Sequence, residues 1–425
     1  LDSIATNPID ANTLRSVQET RFSAVWPHIA ATPLYQRKLQ NAGIAAGAVE
    51  SLADLQRLPF LYKDEISQST VLERTPLATS DIFAIYSSNG TSGPPTLYAW
   101  SEEDVQVNLE VARRLQSNVG VTSSDMGLIL APLSLPAMGH CMIRQFQAVG
   151  AGFIPLGPSD PAQALELIHS LPVTILATLP VVASRLHGYQ LHKLGRPLSE
   201  SVAIRQLQMG GDFLSRARRR RLEHTWRARC YDFYGISEIF GPLCGECSQQ
   251  AGLHFAADYV FVEVLDPRTR RPVEDGEPGV AVYTTLWRKG FPLLRYWTND
   301  YVIWNQAKCA CGQESPRLSF LGRTVDQAIC DGRTIFAKDL EEEILAFPVS
   351  DEYFCYMEED SGRRTVRIAV EPSPGNDVPC GLLRDAAAEI FHANISIDVH
   401  QPGSLPRDCV KPRRLVGFPK PTSPN

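Results

Sequence analysis

The stretch SSNGTSGPPT, residues 87–96, follows the apolar segment DIFAIYSS (81–88) and packs hydroxyls and two glycines into ten residues before two prolines. A strand running into such a turn is where an α/β chain gathers backbone amides around an anion. Gly90 and Gly93 let the amides turn inward, and Ser88, Thr91, Ser92 and Thr96 add hydroxyl donors. The pattern suits a phosphate chain, although a Ser/Gly/Pro surface turn reads the same way in isolation. No lysine follows, so a Walker-type nucleotidase is not supported. The loop is expected to join the strand to the helix SEEDVQVNLEVARRLQSNV (101–119), which opens on a capping-box pattern.

Outward from the loop, strands and helices alternate. MGLILAPL (126–133), GFIPL (152–156), TILATLP (174–180), VAIRQLQMGG (202–211) and RARCYDFYG (227–235) read as strands. The segments between them read as helices, which predicts a mostly parallel sheet covered on both faces. Ahead of the loop, residues 13–78 have helical character, with Pro33 stopping the first helix. From about residue 258 the pattern changes to strands alone, in YVFVEVLD, GVAVYTTL and LLRYWTNDYVIW, which suggests a β-rich subdomain. Beyond Gly322 the chain reads as a compact α+β unit. The expected class is α/β: a large N-terminal domain, 1–322, and a small C-terminal domain, 323–425.

With 425 residues, 44% hydrophobic and 21% charged, the chain has the composition of a large enzyme-like protein with more than one domain. A net charge of −6 offers no general attraction to nucleic acid or anionic membranes. The basic run RARRRR (216–221) is read as a solvated helix face rather than a nucleic-acid footprint. No apolar run is long enough to span a bilayer, and LDSIATNPIDANT (1–13) lacks the features of a secretory signal. The expectation is a cytoplasmic protein. Its ten cysteines do not suggest a disulfide framework.

Three further segments carry acids suited to a nucleotide. YGISE (234–238) ends in Glu238, a carboxylate fit to hold Mg²⁺ on triphosphate oxygens. RYWTND (295–300) ends in Asp300, able to take both hydroxyls of a ribose, and GRTVDQ (322–327) places Arg323 at the domain boundary. Singly, each also reads as a surface acid or a structural ion pair.

In this order the segments resemble the adenylate-forming superfamily of acyl-CoA synthetases, adenylation domains and luciferases, and within it the phenylacetate–CoA ligase-like branch. The resemblance runs from RFSAVWPHIAATPLYQRKLQNAGI (21–44) to LPRDCVKPRR (405–414), through LADLQRLPFLYKDEI, SNGTSGPPT, GGDFLS, YDFYGISEIFGP, DGEPGVAVYTTL, PLLRYWTND and GRTVDQ. It implies that Ser88, Gly90, Thr91, Ser92 and Gly93 cradle the ATP phosphates. Gly211 and Asp212 would lie against adenine and the acyl group, Tyr234 would stack beside adenine, and Glu238 would hold Mg²⁺. Asp300 would bind the ribose with Arg323 beside it. Asp326 would be the hinge of a mobile C-terminal domain, and Lys411 the catalytic lysine. Two positions depart from the family: Pro94 stands where the loop lysine usually sits, and Lys411 lacks the usual preceding glycine.

Cys247, His254, Cys309 and Cys311 form a Cys₃His set with spacing suited to a structural Zn²⁺, with Cys244 as a substitute ligand. APLSLPAMGHCMIRQ (131–145) matches the acyl-pocket segment. Pro136, Met138 and His140, with Gly210 and Gly235, would border the substrate; a helix-end histidine without that role is the alternative. The leading expectation is ATP-dependent activation of an aromatic acid of benzoate, anthranilate or phenylacetate type as acyl-AMP. Transfer would follow to CoA or a carrier-protein thiol, in secondary metabolism or aromatic catabolism. Direct capture by an amine and a silent nucleotide-binding paralogue are the alternatives, and a homodimer is left open.

Overall fold

The computed structural model describes residues 10–417 except 89–94, 196, 199–201, 325–326, 331–332, 361–362, 408–410 and 412. Helix α1 (Ala11–Ala31) starts on Asp10, whose carboxylate accepts the amides of Asn12 and Thr13. It buries Phe22, Val25, Trp26 and Ile29 along one face. Pro33 stops α1 as expected, holding Thr32 extended, and also opens α2 (Pro33–Asn41), at the position where a missing N–H costs least. Short helices α3 (Lys63–Gln68) and α4 (Val71–Arg74) follow.

β1 (Ala84–Ser87) pairs antiparallel with β2 (Leu97–Trp100), from Ala84 opposite Trp100 to Ser87 opposite Leu97. The Ser/Gly loop therefore joins strand to strand, not strand to helix. The reason lies in LYAW: Tyr98, Ala99 and Trp100 are buried, and the ladder satisfies the backbone groups they take inside. α5 (Glu102–Asn118) begins immediately afterwards, with Ser101 and Asp104 closing the expected capping box.

β3 (Met126–Leu130), α6 (Ala137–Gln147), β4 (Gly152–Pro155), α7 (Pro161–Ser170), β5 (Ile175–Thr178), α8 (Pro180–Leu194), β6 (Gln206–Gly210), α9 (Arg216–Trp226) and β7 (Arg229–Ile236) continue the alternation. β8 (Phe240–Gly245), β9 (Leu253–Phe255), β10 (Val260–Leu265), β11 (Pro278–Thr285), β12 (Tyr296–Asn305) and β13 (Arg317–Arg323) then follow without helices. Among the described residues all but β1 and β2 form one sheet of order β10-β11-β12-β13-β9-β8-β7-β6-β5-β3-β4. Its β4-to-β7 half is parallel and the half beyond β7 antiparallel. The change of pattern in the sequence is thus a change of connection within one sheet.

The rest comprises hairpin β14 (Gln327–Cys330) and β15 (Arg333–Phe336), α10 (Ala337–Ile344), β16 (Val349–Asp360), β17 (Arg363–Pro372), α11 (Cys380–Phe391), β18 (Asn394–Val399) and β19 (Leu415–Val416). The last four strands form a sheet of order β18-β17-β16-β19. This unit has its own apolar cluster, with Ile335, Leu340, Ile344, Val349, Tyr353, Ile368, Leu383 and Phe391.

The basic run on α9 is only in part the solvated face expected of it: Arg216 and Arg220 are exposed, while the other three arginines are engaged. Arg218 is buried and bonds Glu341 of α10 through two nitrogens, at 2.9 and 2.7 Å. Arg221 donates to the carbonyls of Leu345, Phe347 and Val349 and to Asp351. On another side of the helix Arg219 pairs with Glu246. Residues 218 and 221 lie one turn apart, so both meet the C-terminal unit, whose carbonyls and acids complement them.

Candidate active site

The proposed nucleotide residues meet near the middle of the large sheet. Asp300 has no exposed surface, accepts the Tyr234 hydroxyl at 2.6 Å and is bonded by Arg323 Nε at 2.9 Å. Burial pushes its carboxyl up more than Arg323 and Tyr234 pull it down. Asn299, at φ +63°, and the register break between Tyr301 and Val302 turn the strand at this point. Tyr234 stacks on Phe320, with ring centroids 5.4 Å apart, and is buried, so one of its faces is already used.

Glu238 follows β7 and is also buried. Its Oε1 accepts Lys63 Nζ at 2.8 Å and the Tyr296 hydroxyl at 3.2 Å. Burial raises its carboxyl, but the charge and hydrogen bond of Lys63 outweigh that, and the net shift is downward. Gly235 is required locally: a Cβ there would lie 2.3 Å from the Gly241 carbonyl oxygen across the β7–β8 turn.

Gly210 ends β6, and Gly211 turns the chain at φ +80°. The position a Gly211 Cβ would take lies 2.7 Å from Met138 Sδ and 3.6 Å from both Cε and Nζ of Lys411. Lys411 therefore reaches the end of β6 from the far end of the chain. Asp212 feels its charge: enclosure pushes the carboxyl up, Lys411 pulls it back, and the net shift is upward. The Lys411 segment is fixed by Arg414, which donates to Glu352 and to the Tyr353 carbonyl; Glu352 also takes Arg185 of α8. Three acids thus each have a cation at hand: Lys63 for Glu238, Arg323 for Asp300, Lys411 for Asp212.

Ser88 is buried, and its amide bonds the Thr96 carbonyl at 3.0 Å, closing the base of the phosphate loop. Ser87 bonds the Leu135 carbonyl, tying that base to the start of α6. Gly90, Thr91, Ser92 and Gly93, with Pro94, lie outside the described residues, as does the expected hinge Asp326. Pro136 caps α6. On its first turns, Met138 faces Gly211, while His140 bonds the Ser134 carbonyl at 2.9 Å and sits 5.0 Å from the Tyr86 ring. His140 is thus held by its own loop, close to the loop base.

At the far side of the sheet, donor atoms of Cys247, His254, Cys309 and Cys311 lie within 4.8 Å of one another. A zinc ion at about 2.3 Å from each thiolate needs sulfurs about 3.8 Å apart. Cys247 and Cys309 are 3.9 Å apart, and Cys311 Sγ is 3.4 Å from His254 Nε2. His254 Nδ1 meets Ser315 Oγ at 2.8 Å, which orients the ring. Burial first, then the Arg317 charge, lower its imidazole to about 4, the neutral form a metal needs. The donor set fits tetrahedral zinc; Cys244 bonds the Tyr234 carbonyl instead.

Lys63 is the residue that the motif reading passed over. It stands inside LYKDEI, where a lysine between aromatic and acidic neighbours looks like surface charge. Its placement comes from a backbone bridge: Leu61 bonds Arg295 and Trp297, fastening this segment beside β12.

Residues 23–285 match the AMP-binding enzyme family. A phenylacetate-coenzyme A ligase of Thermus thermophilus is 28% identical over 386 residues, covering 89% of this chain and 86% of that protein. The crystal structure of a 2-hydroxyisobutyryl-CoA ligase in the postadenylation state, in complex with 2-HIB-AMP, superposes with a TM-score of 0.88 at 20% identity, over 97% of this chain and 91% of that one. The same ligase in the thioesterification state, with 2-HIB-AMP and CoA, gives 0.71 at 20% identity over the same shares of the two chains.

Proposed function

Since this chain belongs to the AMP-binding enzyme family and is an adenylate-forming ligase, we propose that it activates an aromatic carboxylic acid with ATP and passes the acyl group to CoA. The observation that carries this reading is the meeting of Lys411 with Gly211 and Asp212, alongside Glu238 and Asp300. The aromatic acid and CoA are further supported by the phenylacetate ligase relative.

In the first half-reaction a carboxylate oxygen bonds the α-phosphorus of ATP while the bond to the β-phosphate oxygen breaks, and pyrophosphate leaves with that electron pair. Two anions must approach, so catalysis depends on cations fixed in advance around the phosphates. Lys411 would sit against the acyl and α-phosphate oxygens, next to Gly211. Asp300 and Arg323 would hold the ribose, and Tyr234 would offer adenine the face that Phe320 leaves. The buried, ionised Glu238 fits a magnesium ligand; Mg²⁺ held there would neutralise phosphate charge. The amides and hydroxyls of the 88–96 loop would bear the phosphates, and Met138, His140 and Gly235 would border the acid.

The second half-reaction needs the thiol to reach the acyl carbon that Lys411 guards. Turning the C-terminal unit away once the adenylate has formed would part it from α9, exposing the Arg218–Glu341 pair and the apolar contact of Ala217 with the unit's core. The closer likeness to the postadenylation form than to the thioesterification form supports reading this arrangement as the adenylating one. The four-donor cluster would hold structural zinc and staple two loops of the antiparallel half-sheet.

The test is ATP–pyrophosphate exchange across benzoates, anthranilates and phenylacetates, followed by CoA consumption. Exchange with an aromatic acid and stoichiometric loss of the CoA thiol are expected. Exchange without CoA consumption would move the acceptor to a carrier protein or an amine, and no exchange with any acid would overturn the reading.

A further inference from the structure

Pro94 leaves the phosphate loop without the cation that such loops carry, yet the site is not short of a lysine. Lys63 comes from another part of the chain, on the segment strapped to β12 by the Leu61 bridge to Tyr296. Its ammonium lies 2.8 Å from Glu238 Oε1, the same oxygen that accepts the Tyr296 hydroxyl. The Lys63 side chain is 49% exposed while Glu238 is 7% exposed, so the ammonium reaches solvent beside a buried acid. The loop base is close by: the Tyr98 hydroxyl lies beside Ser88 and Thr96 and feels the Glu238 charge.

We propose that Lys63 is the phosphate-binding lysine of this chain, contacting the β- and γ-phosphate oxygens of ATP and then the departing pyrophosphate. The inference rests on the adenylating reading above and on Glu238 as the site's metal-holding carboxylate. With the acid engaged by a divalent cation, the ammonium has less reason to stay on Oε1. Its flexible four-carbon stem lets it turn to phosphate oxygens without moving the backbone. The charge supplied elsewhere by a loop lysine is then delivered in this chain from LYKDEI. The contact falls on the leaving group, so it discriminates ATP and pyrophosphate from AMP.

Calorimetric titration of ATP, pyrophosphate and AMP at saturating Mg²⁺ tests this on the full chain. Lys63→Met should bind ATP and pyrophosphate about 10- to 100-fold more weakly, with AMP affinity unchanged. Lys63→Arg, which keeps the charge, should restore most of that affinity, and exchange assays should show the Met variant's loss chiefly in KM for ATP and pyrophosphate. Equal weakening of ATP and AMP would mean that Lys63 only props up Glu238, and would overturn the proposal. Unchanged affinity for ATP in Lys63→Met would overturn it too while leaving the adenylating reading intact. Failure of the unaltered chain to bind ATP would overturn both.

Discussion

Arg218 and Glu341 form a bidentate ion pair in the interior, with side chains 3% and 1% exposed, across the junction of α9 and α10. Burial opposes both charges, but each holds the other ionised: the Arg218 pKa is raised and the Glu341 pKa is lowered. Ser215 and Tyr353 hydroxyls complete the acid's shell. Glu341→Ala leaves the buried guanidinium with Asp351 as its remaining acid, 3.5 Å away, and we expect a loss of about 3 kcal/mol in urea unfolding. Replacing both residues by apolar ones, Arg218→Met with Glu341→Leu, should recover most of it. A single variant as stable as the unaltered chain would show that the pair does not hold the junction.

On the adenylating reading Lys411 serves the first half-reaction alone, so its loss should split the two half-reactions. Lys411→Ala is expected to slow ATP–pyrophosphate exchange by about 10²–10³-fold. Thioester formation from chemically supplied acyl-AMP and CoA should stay near the unaltered rate. Equal losses in both would place Lys411 in the general architecture rather than in adenylate formation.

The order of strands and helices was readable because each has a clear period, whereas Glu238, Asp300 and Arg323 were ambiguous singly and, with Lys411, were singled out only by the resemblance of the ordered segments. What escaped was set by distant partners. LYAW is four residues of ordinary apolar character, and only pairing with residues 84–87 makes it a strand. The arginines of α9 acquire meaning from Glu341 and the 345–351 carbonyls, more than 120 residues further along the chain. Lys63 depends on Glu238, 175 residues away. Local pattern carries neither exposure nor partner identity, and a charge run is ambiguous until both are known.

Asp232, on β7, offers a test by pH. Burial first, and then the neighbouring Glu246, push its carboxyl up, with Arg219 pulling it back only in part. The folded chain therefore holds a proton that the unfolded chain has already released above about pH 3.9. Stability should fall as pH rises from there through the folded-state pKa, and level off beyond it. Asp232→Asn removes this dependence. Relative to the unaltered chain its unfolding free energy in urea should be little changed at pH 4.5 and higher at pH 8, by roughly 3 kcal/mol. A difference that does not change with pH would contradict the assignment.

The zinc reading is best tested one shell out, where the fold survives the change. Ser315 Oγ meets His254 Nδ1 at 2.8 Å while Nε2 faces Cys311, so the hydroxyl fixes which nitrogen points at the metal. Ser315→Ala frees the ring without removing a donor, and we expect metal affinity to drop about 10- to 100-fold in competition with a chromogenic chelator. Cys309→Ser removes a donor outright and should abolish stoichiometric zinc in the purified protein. It should also lower the melting temperature, because the loops carrying Cys247 and Cys309 lose their common anchor. The two variants should therefore rank in one order, with Ser315→Ala weakened and Cys309→Ser emptied. Full zinc content in Cys309→Ser would mean that these four side chains pack together without serving as a metal site.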